Sequence, residues 1–215
     1  MMKGVESVIF DMDGTLFDSP LDFNAIRKHF AIPLNQGVLE SISHMQTLQR
    51  QKAEKDLLMF EMRAAEKTIL KPGVQSMLAE LKAKQLSIGL LTRNARNVVR
   101  YVLKKHPQIQ FDAVVTRDDG PVKPDPESIL SICRKFHADP AKTLCIGDYL
   151  YDIIAANEAG SISVFFSDRF GQFPILEPRL HDIPAQIPPY AKNACFIISD
   201  ISQVLNLIKM FEAEI

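Results

Sequence analysis

Short apolar runs alternate with helix-period segments along most of the chain, and this alternation limits the folds open to it. The runs are SVIF (7–10), SIGLL (87–91), AVVT (113–116), TLCIG (143–147), ISVFF (162–166) and CFII (195–198). Between them apolar residues recur at helical spacing; the clearest set is Val74, Met77, Leu78 and Leu81. Repeated strand-helix-strand units predict a parallel sheet with helices on both faces, an α/β Rossmann-like three-layer core.

Residues 18–71 interrupt this alternation, because they carry helical patterns and no convincing strand. Three apolar stripes occur there: Phe23, Ile26, Arg27 and Phe30; Val38, Ile42, Met45 and Leu48; Leu57, Phe60 and Ala64. We interpret residues 18–71 as a small α-helical cap, inserted into a core domain formed by residues 1–17 and 72–215. The alternative, a few surface helices packed on the sheet, is left open by the sequence.

Residues 170–194 contain five prolines and no periodicity, so they are predicted to form a long extended loop. A loop of that length is unusual in a compact domain and is often functional. A closing helix after the last strand is indicated by Ile201, Val204, Leu205 and Ile208.

The composition is typical of an ordinary globular protein, with 47% hydrophobic residues and a formal net charge of −1. The 25 basic residues nearly balance the 26 acidic ones, which disfavours nucleic acid as a main partner. The N-terminus does not resemble a signal peptide and no apolar run reaches membrane-spanning length, so we expect no membrane association and a cytoplasmic location. Cys133, Cys145 and Cys195 lack metal or redox spacing and are expected to be small buried residues.

Polar residues follow four of the predicted strands, at the point where each strand ends. Asp11 and Asp13 follow the first strand, Thr92 follows SIGLL, Lys123 follows AVVT, and Asp148 with Asp152 follows TLCIG. In a parallel sheet these positions share the carboxyl edge, where ligands bind in such folds. Each residue alone is weak evidence for a site, but their shared position at one edge of the sheet is strong evidence.

Each of these signals also has a simpler explanation. Asp11 and Asp13 could begin a calcium-binding loop, but Thr15 and Leu16 occupy the positions at which that loop needs Asp or Asn and Gly, respectively. Thr92 could be a helix N-cap and Lys123 a solvated lysine. Asp148 and Asp152 could be favourable charges in the first turn of a helix.

Taken together, the residues are suited to phosphoryl transfer. Carboxylates of Asp11, Asp148 and Asp152 are the hard oxygen ligands that Mg²⁺ prefers. Asp11 is positioned as a nucleophile that forms an aspartyl-phosphate, and Asp13 as the acid and base. Gly14 permits the sharp turn behind them. Two groups would bind phosphate: the Thr92 hydroxyl, with backbone amides at the following helix start, and the Lys123 ammonium.

The segments DMDGTLFDSP, GLLTRN, VKPDP and GDYLYD, in this order, resemble the four motifs of the haloacid dehalogenase superfamily. The resemblance covers residues 5–168 and is closest to the phosphoglycolate phosphatase-like branch, whose helical cap lies between the first and second motifs. It implies that Asp11 is both nucleophile and metal ligand and that Asp13 is the acid and base. It also implies that the Asp13 backbone carbonyl binds Mg²⁺, that Asp148 binds the metal, and that Asp152 supports it.

Two residues depart from the pattern of the superfamily. Arg93 stands where relatives often have a small polar residue, and it is a candidate for binding phosphate or a substrate carboxylate, or for packing on the cap. Tyr149 stands where a small residue is common. Arg27, His44 and Arg50 are candidate cap contacts for the substrate, although each is more often a solvated charge.

The resulting hypothesis is a Mg²⁺-dependent phosphatase that acts on a small phosphorylated metabolite. Asp13 disfavours dehalogenation, because a halide leaves without a proton. The alternatives are a phosphomutase on the same scaffold and, less favoured, a non-catalytic binding protein, which would be marked by loss of Asp11 or Asp13. The sequence does not identify the substrate or the oligomeric state.

Overall fold

A computed structural model describes residues 4–213. The strands are β1 (Ser7–Phe10), β2 (Phe17–Asp18), β3 (Ile69–Leu70), β4 (Ser87–Leu91), β5 (Ala113–Val115), β6 (Thr143–Gly147), β7 (Ile162–Phe166) and β8 (Phe196–Ile198). The helices are α1 (Phe23–Phe30), α2 (Val38–Ser43), α3 (Thr47–Lys67), α4 (Val74–Ala83), α5 (Arg96–Lys105), α6 (Glu127–Phe136), α7 (Leu150–Glu158) and α8 (Gln203–Ala213). Within residues 4–213, no helix combines the length and apolar character needed to cross a bilayer.

Six strands form one parallel sheet in the order β5-β4-β1-β6-β7-β8. Successive residues of β1 point to opposite faces, so Val8 and Phe10 join one apolar cluster and Ile9 joins another. Helices α4, α5 and α8 bury their apolar residues in the first cluster and α6 buries its own in the second, while α7 divides its buried residues between the second cluster and a third that contains Ile153. The predicted α/β three-layer fold is confirmed.

The register of the central strands aligns their carboxyl ends. Phe10, the last residue of β1, pairs with Leu90 of β4 and with Ile146 of β6. The residues that follow these strands therefore emerge side by side along one edge of the sheet.

The helices of residues 18–71, called the helical insert below, share an apolar cluster of their own. Its buried members are Ile26, Ile32, Val38, Ile42, Ala53 and Leu57. Two stripe residues, Phe23 and Leu48, are instead exposed. The structure also adds a feature that the sequence did not predict, because β2 and β3 pair antiparallel where the chain enters and leaves the insert.

Residues 170–194 form a long connection, as predicted, but it is packed rather than extended. Leu176 exchanges two backbone hydrogen bonds with Ile197 of β8, at 3.0 and 2.8 Å. Ile187 and Ala191 are buried in a cluster with Phe165, and the Pro189–Asn193 segment forms a 3₁₀ helix. The segment covers the edge strand of the sheet, which would otherwise present unpaired backbone groups.

The three cysteines are free thiols within the described chain. Cys133 and Cys145 are buried and Cys195 is partly buried. Burial raises the pKa of the Cys133 thiol, which keeps it protonated. The interpretation of Cys133 and Cys145 as small core residues is confirmed.

Candidate active site

Asp11 stands directly after β1, at the centre of the carboxyl edge of the sheet. Its backbone N–H donates to the Ile146 carbonyl at 2.8 Å, so the chain stays in register with β6 up to this residue. The chain then turns sharply, and the Leu16 N–H donates back to the Met12 carbonyl at 3.0 Å. Gly14 has a φ of 84°, a left-handed conformation that glycine adopts without steric cost, which confirms its predicted role.

Lys123 lies between two of the predicted metal ligands. Its Nζ donates to Asp11 Oδ1 at 2.5 Å, to the Asp152 carboxylate, and to the Leu91 carbonyl at 3.1 Å. The residue is only 4% exposed, and a buried ammonium is stable only with such partners. The alternative of a solvated lysine is therefore wrong.

Three carboxylates converge at this edge of the sheet. One oxygen from each of Asp11, Asp148 and Asp152 lies within 4.8 Å of the others. Gly14 and Gly147 make the convergence possible, because a Cβ at either position would collide with the carboxylate of Asp148 or Asp152, respectively. The structure thus brings together residues that are far apart along the chain.

The two acidic residues after β6 differ in their relation to α7. Asp152 lies in the first turn and its Oδ2 accepts the Tyr149 N–H at 3.0 Å, so it also caps the helix. Asp148 precedes the helix, which begins at Leu150. The helix-charge explanation therefore applies to Asp152 and not to Asp148.

This cluster carries more negative charge than its surroundings balance. Burial, together with the nearby Asp152 carboxylate, raises the pKa of Asp148 to about 7. Burial also raises the pKa of Asp11 well above its usual value, although Lys123 opposes the change. When all three carboxylates are ionised, their three negative charges exceed the two positive charges that act on Asp148, the buried Lys123 ammonium and, more weakly, the Arg169 guanidinium at the cavity border. A hard divalent cation supplies the missing positive charge, and carboxylate oxygens are its preferred ligands.

Asp13 is oriented by Asn94, a residue that the sequence analysis missed. The Asn94 side-chain amide donates to the Asp13 carboxylate. Burial raises the pKa of Asp13, although hydrogen bonds from Asn94 and Ser19 oppose the change. A raised pKa favours the protonated carboxyl group that a general acid needs.

Thr92 is buried beside this pair and is not a helix cap. Helix α5 begins at Arg96 and its N-cap is Ala95, so the N-cap explanation of Thr92 is wrong. Thr92 Oγ1 accepts the Asn94 N–H at 3.1 Å. The Arg96 N–H at the helix start donates to Asp118 at 2.8 Å, so this amide is not free to bind phosphate as the sequence had suggested.

Arg93 joins the edge of the sheet to the helical insert. One Nη donates to the Lys123 carbonyl at 2.6 Å and the other to Glu40 of α2, also at 2.6 Å. Its guanidinium carbon lies 4.5 Å from the centre of the Tyr151 ring. Of the roles left open by the sequence, packing on the insert is the one for which the structure shows contacts.

A cavity of about 390 Å³ lies between the sheet edge and the insert. All the predicted site residues border it: Asp11, Asp13, Thr92, Arg93, Lys123, Asp148 and Asp152. From the insert, Arg27 borders the cavity, whereas Arg50 pairs with Glu54 in its own helix. Glu61 of α3, which is 4% exposed, also borders the cavity and pairs with Arg117, which follows β5.

The fold and this strand-edge site define an α/β enzyme with a helical insert after its first strand. The family model described as haloacid dehalogenase-like hydrolase matches residues 8–166. The chain belongs to this family and is a hydrolase.

Individual relatives agree with this assignment. The chain is 27% identical over 222 residues to an uncharacterized hydrolase of Saccharomyces cerevisiae, covering 99% of this chain and 95% of that protein. It is 30% identical over 183 residues to a phosphoglycolate phosphatase of Nitrosospira multiformis, covering 73% and 81% of the two chains. A crystal structure of a hydrolase from Pseudomonas syringae shares the fold, with a TM-score of 0.74, 24% identity and coverage of 95% and 98%. The predicted phosphoglycolate phosphatase-like branch is confirmed.

Proposed function

We propose that this protein is a Mg²⁺-dependent phosphatase that hydrolyses a small phosphate monoester, phosphoglycolate-like or a sugar phosphate, through an aspartyl-phosphate intermediate. The observation that carries the proposal is the convergence of Asp11, Asp148 and Asp152 around the buried Lys123 in one cavity. Similarity to a protein named phosphoglycolate phosphatase supports the substrate class. A small phosphorylated metabolite is the expected partner, and the three free thiols support a location in the reducing cytoplasm.

Asp11, Asp148 and Asp152 would hold Mg²⁺, directly or through water, and the family resemblance adds the Asp13 backbone carbonyl. The uncompensated charge of the cluster and the raised pKa of Asp148 support a cation at this position. When bound, the ion supplies positive charge that screens the phosphate dianion from the carboxylates.

The side chains of Asp11 and Asp13 would perform the bond changes. An Asp11 oxygen attacks phosphorus while the bond from phosphorus to the leaving oxygen breaks, and protonated Asp13 donates its proton to that oxygen. Asp13, now ionised, removes a proton from the water that attacks the phosphorus of the aspartyl-phosphate, while the bond from phosphorus to the Asp11 oxygen breaks; this releases phosphate and restores the Asp11 carboxylate and protonated Asp13. Asn94 holds the Asp13 carboxylate in place for both steps.

Thr92, Lys123 and Arg93 would hold the phosphate oxygens. Because Thr92 Oγ1 accepts a hydrogen bond from the Asn94 N–H, its own hydroxyl hydrogen is available to donate to phosphate. The Lys123 ammonium, fixed beside Asp11, contributes a positive charge. Arg93 borders the cavity, and it would bind phosphate by giving up one of its two present acceptors.

We further propose that residues 18–71 act as a cap over a catalytic core of residues 1–17 and 72–215. Three ion pairs connect the two parts: Arg93 with Glu40, Arg117 with Glu61, and Lys71 with Asp168. Closure of the cap over the cavity would exclude bulk water during the reaction.

The experiment is phosphate release from 4-nitrophenyl phosphate with Mg²⁺ or with EDTA, in the native protein, in Asp11→Asn and in the control Asp182→Asn at an exposed position. We expect release only with Mg²⁺, loss in Asp11→Asn, and retention in Asp182→Asn. Persistent release in Asp11→Asn would overturn the covalent mechanism. A sugar phosphate that is isomerised with little phosphate release would instead identify a phosphomutase, and absence of any turnover would favour a binding protein.

A further inference from the structure

Two exposed aromatic side chains border the cavity that contains the acidic site. Among residues 4–213, three phenylalanine or tyrosine side chains are exposed: Phe23 (52%), Tyr149 (49%) and Tyr101 (37%). Phe23 and Tyr149 both border the cavity, while Tyr101 lies elsewhere, with the Lys105 ammonium over its ring. Exposed apolar side chains that gather at one place mark a binding surface.

The two rings come from different sides of the cavity. Phe23 is the first residue of α1 in the helical insert. Tyr149 directly follows Asp148 on the sheet side. The Tyr149 ring makes edge-type contacts with Tyr151 and Tyr190, whose centres lie 5.1 and 5.9 Å away. These contacts fix the orientation of Tyr149 while half of its surface stays open.

The insert side of the cavity is otherwise mostly apolar. Four aliphatic residues border it: Leu21, Val38, Leu39 and Leu57. Glu61, the acidic residue of this wall, is already paired with Arg117. Arg27 is the cation of the insert wall, and its Nε is buried without a hydrogen-bond partner. Its guanidinium carbon lies 5.9 Å from the centre of the Phe23 ring. Such a wall favours a leaving group with a large apolar surface.

The size of the cavity points the same way. A two-carbon leaving group would leave most of its 390 Å³ to water against an apolar wall. An aromatic ring would remove that wall from water, at about 25 cal/mol per Å² of apolar surface buried. Rings at 4.5–7 Å also attract each other through edge-to-face or offset contacts.

We propose that the substrate is a phosphate monoester whose alcohol portion carries an aromatic ring, held between Phe23 and Tyr149. The inference rests on the proposed phosphatase function, and it replaces the phosphoglycolate-like or sugar portion of the substrate named there with an aromatic one. The main alternative is that Arg27 binds a carboxylate of a small substrate that has no aromatic ring.

The test compares kcat/KM for benzyl phosphate and ethyl phosphate, which both release an alkyl alcohol and so differ mainly in the ring. We expect the native protein to prefer benzyl phosphate, with a kcat/KM about tenfold or more above that for ethyl phosphate. A tenfold ratio corresponds to about 1.4 kcal/mol. Phe23→Ala and Tyr149→Ala should each lower the benzyl-to-ethyl ratio several-fold. The matched controls Met59→Ala, at a 51% exposed position of α3, and Tyr101→Ala should leave the ratio unchanged.

A second measurement does not depend on turnover. Benzylphosphonate should inhibit 4-nitrophenyl phosphate hydrolysis with a Ki about tenfold below that of ethylphosphonate. Equal values of kcat/KM and equal inhibition would overturn the aromatic subsite while leaving the phosphatase function intact. A preference for phosphoglycolate over benzyl phosphate that disappears in Arg27→Met would also overturn it, in favour of a carboxylate subsite. If Mg²⁺ supports hydrolysis of no ester at all, the proposed function itself is wrong.

Discussion

The two sides of the cavity are built in different ways. On the sheet side, charged and polar groups follow strand ends whose positions are fixed by the parallel register, and they hydrogen-bond to one another. On the insert side, the wall is largely aliphatic and aromatic, and the insert is joined to the core by a two-stranded pairing and three ion pairs. The difference indicates that the sheet supplies the chemistry and the insert supplies the selection of substrate.

The largest effect is expected from removing the acid and base on the sheet side. Asp13→Asn should lower kcat for ethyl phosphate by about 10²–10⁴-fold, because its alkoxide needs a proton to leave. Steady-state phosphate release measures the loss. With 4-nitrophenyl phosphate, whose leaving group needs no proton, a rapid burst of nitrophenol should remain. A loss below about tenfold for ethyl phosphate would show that Asp13 is not the acid.

The second prediction concerns the buried lysine. Lys123→Met leaves the Asp11 and Asp152 carboxylates buried without their ammonium, and this should lower the free energy of unfolding by about 3–5 kcal/mol in EDTA. The control is Lys84→Met, which removes a surface pair with Glu212 and should cost less than about 1 kcal/mol. Denaturant titration of both variants measures the difference. An equal loss of unfolding free energy in the two variants would contradict the conclusion that the ion pairs at the sheet edge are stronger than a surface pair.

The residues of the sheet side could be predicted from the sequence because each is marked by a local pattern. A buried strand followed by a polar residue identifies each contributor, and parallel topology brings the strand ends together. Asn94 was missed because its partner Asp13 lies 81 residues away, and a threonine-arginine-asparagine turn does not indicate which side chain points inward. The Glu61–Arg117 pair was missed for the same reason, since 56 residues separate the two.

The third prediction concerns pH and metal. In EDTA the folded-state pKa of Asp148 is about 7, above the value near 4 of an unfolded aspartate. Between these pH values the folded protein binds more protons than the unfolded chain, so the free energy of unfolding falls as pH rises through this window. Asp148→Asn should flatten that dependence and raise the melting temperature in EDTA at pH 8.

Added Mg²⁺ should stabilise the native protein more than Asp148→Asn, which opposes the advantage of the variant in EDTA. At a hundredfold excess over Kd it should stabilise the native protein by about 2.7 kcal/mol and Asp148→Asn far less. Thermal melts with and without Mg²⁺ measure both effects. An equal Mg²⁺ shift in the two proteins would mean that the ion binds elsewhere.

The smallest expected effect concerns Arg93, which contacts both the sheet edge and the helical insert. If Arg93 binds phosphate, Arg93→Met should raise the Ki of inorganic phosphate about tenfold, in the range of a charge-assisted hydrogen bond. Arg63→Met, at an exposed position of α3, serves as the control. An unchanged Ki would assign Arg93 to the contact with Glu40 alone.

The insert could be predicted less completely than the sheet. Its helices were indicated by periodicity, and Ile26, Val38 and Leu57 of the stripes are buried. Periodicity identifies an apolar face but not what covers it, so it could not show that Phe23 faces a cavity rather than the cluster. The contacts that decide substrate choice depend on how the insert sits over the sheet.

The central claim is that the Asp11 carboxylate attacks phosphorus, and trapping the intermediate tests it most directly. The native protein would be mixed with 4-nitrophenyl phosphate and Mg²⁺, quenched rapidly in acid, reduced with borohydride and mapped by peptide mass spectrometry. We predict conversion of Asp11 to homoserine, because borohydride reduces an acyl phosphate and leaves a free carboxylate unchanged. Phosphate release in the same sample with Asp11 unmodified and no phosphoryl group elsewhere on the chain would contradict the account.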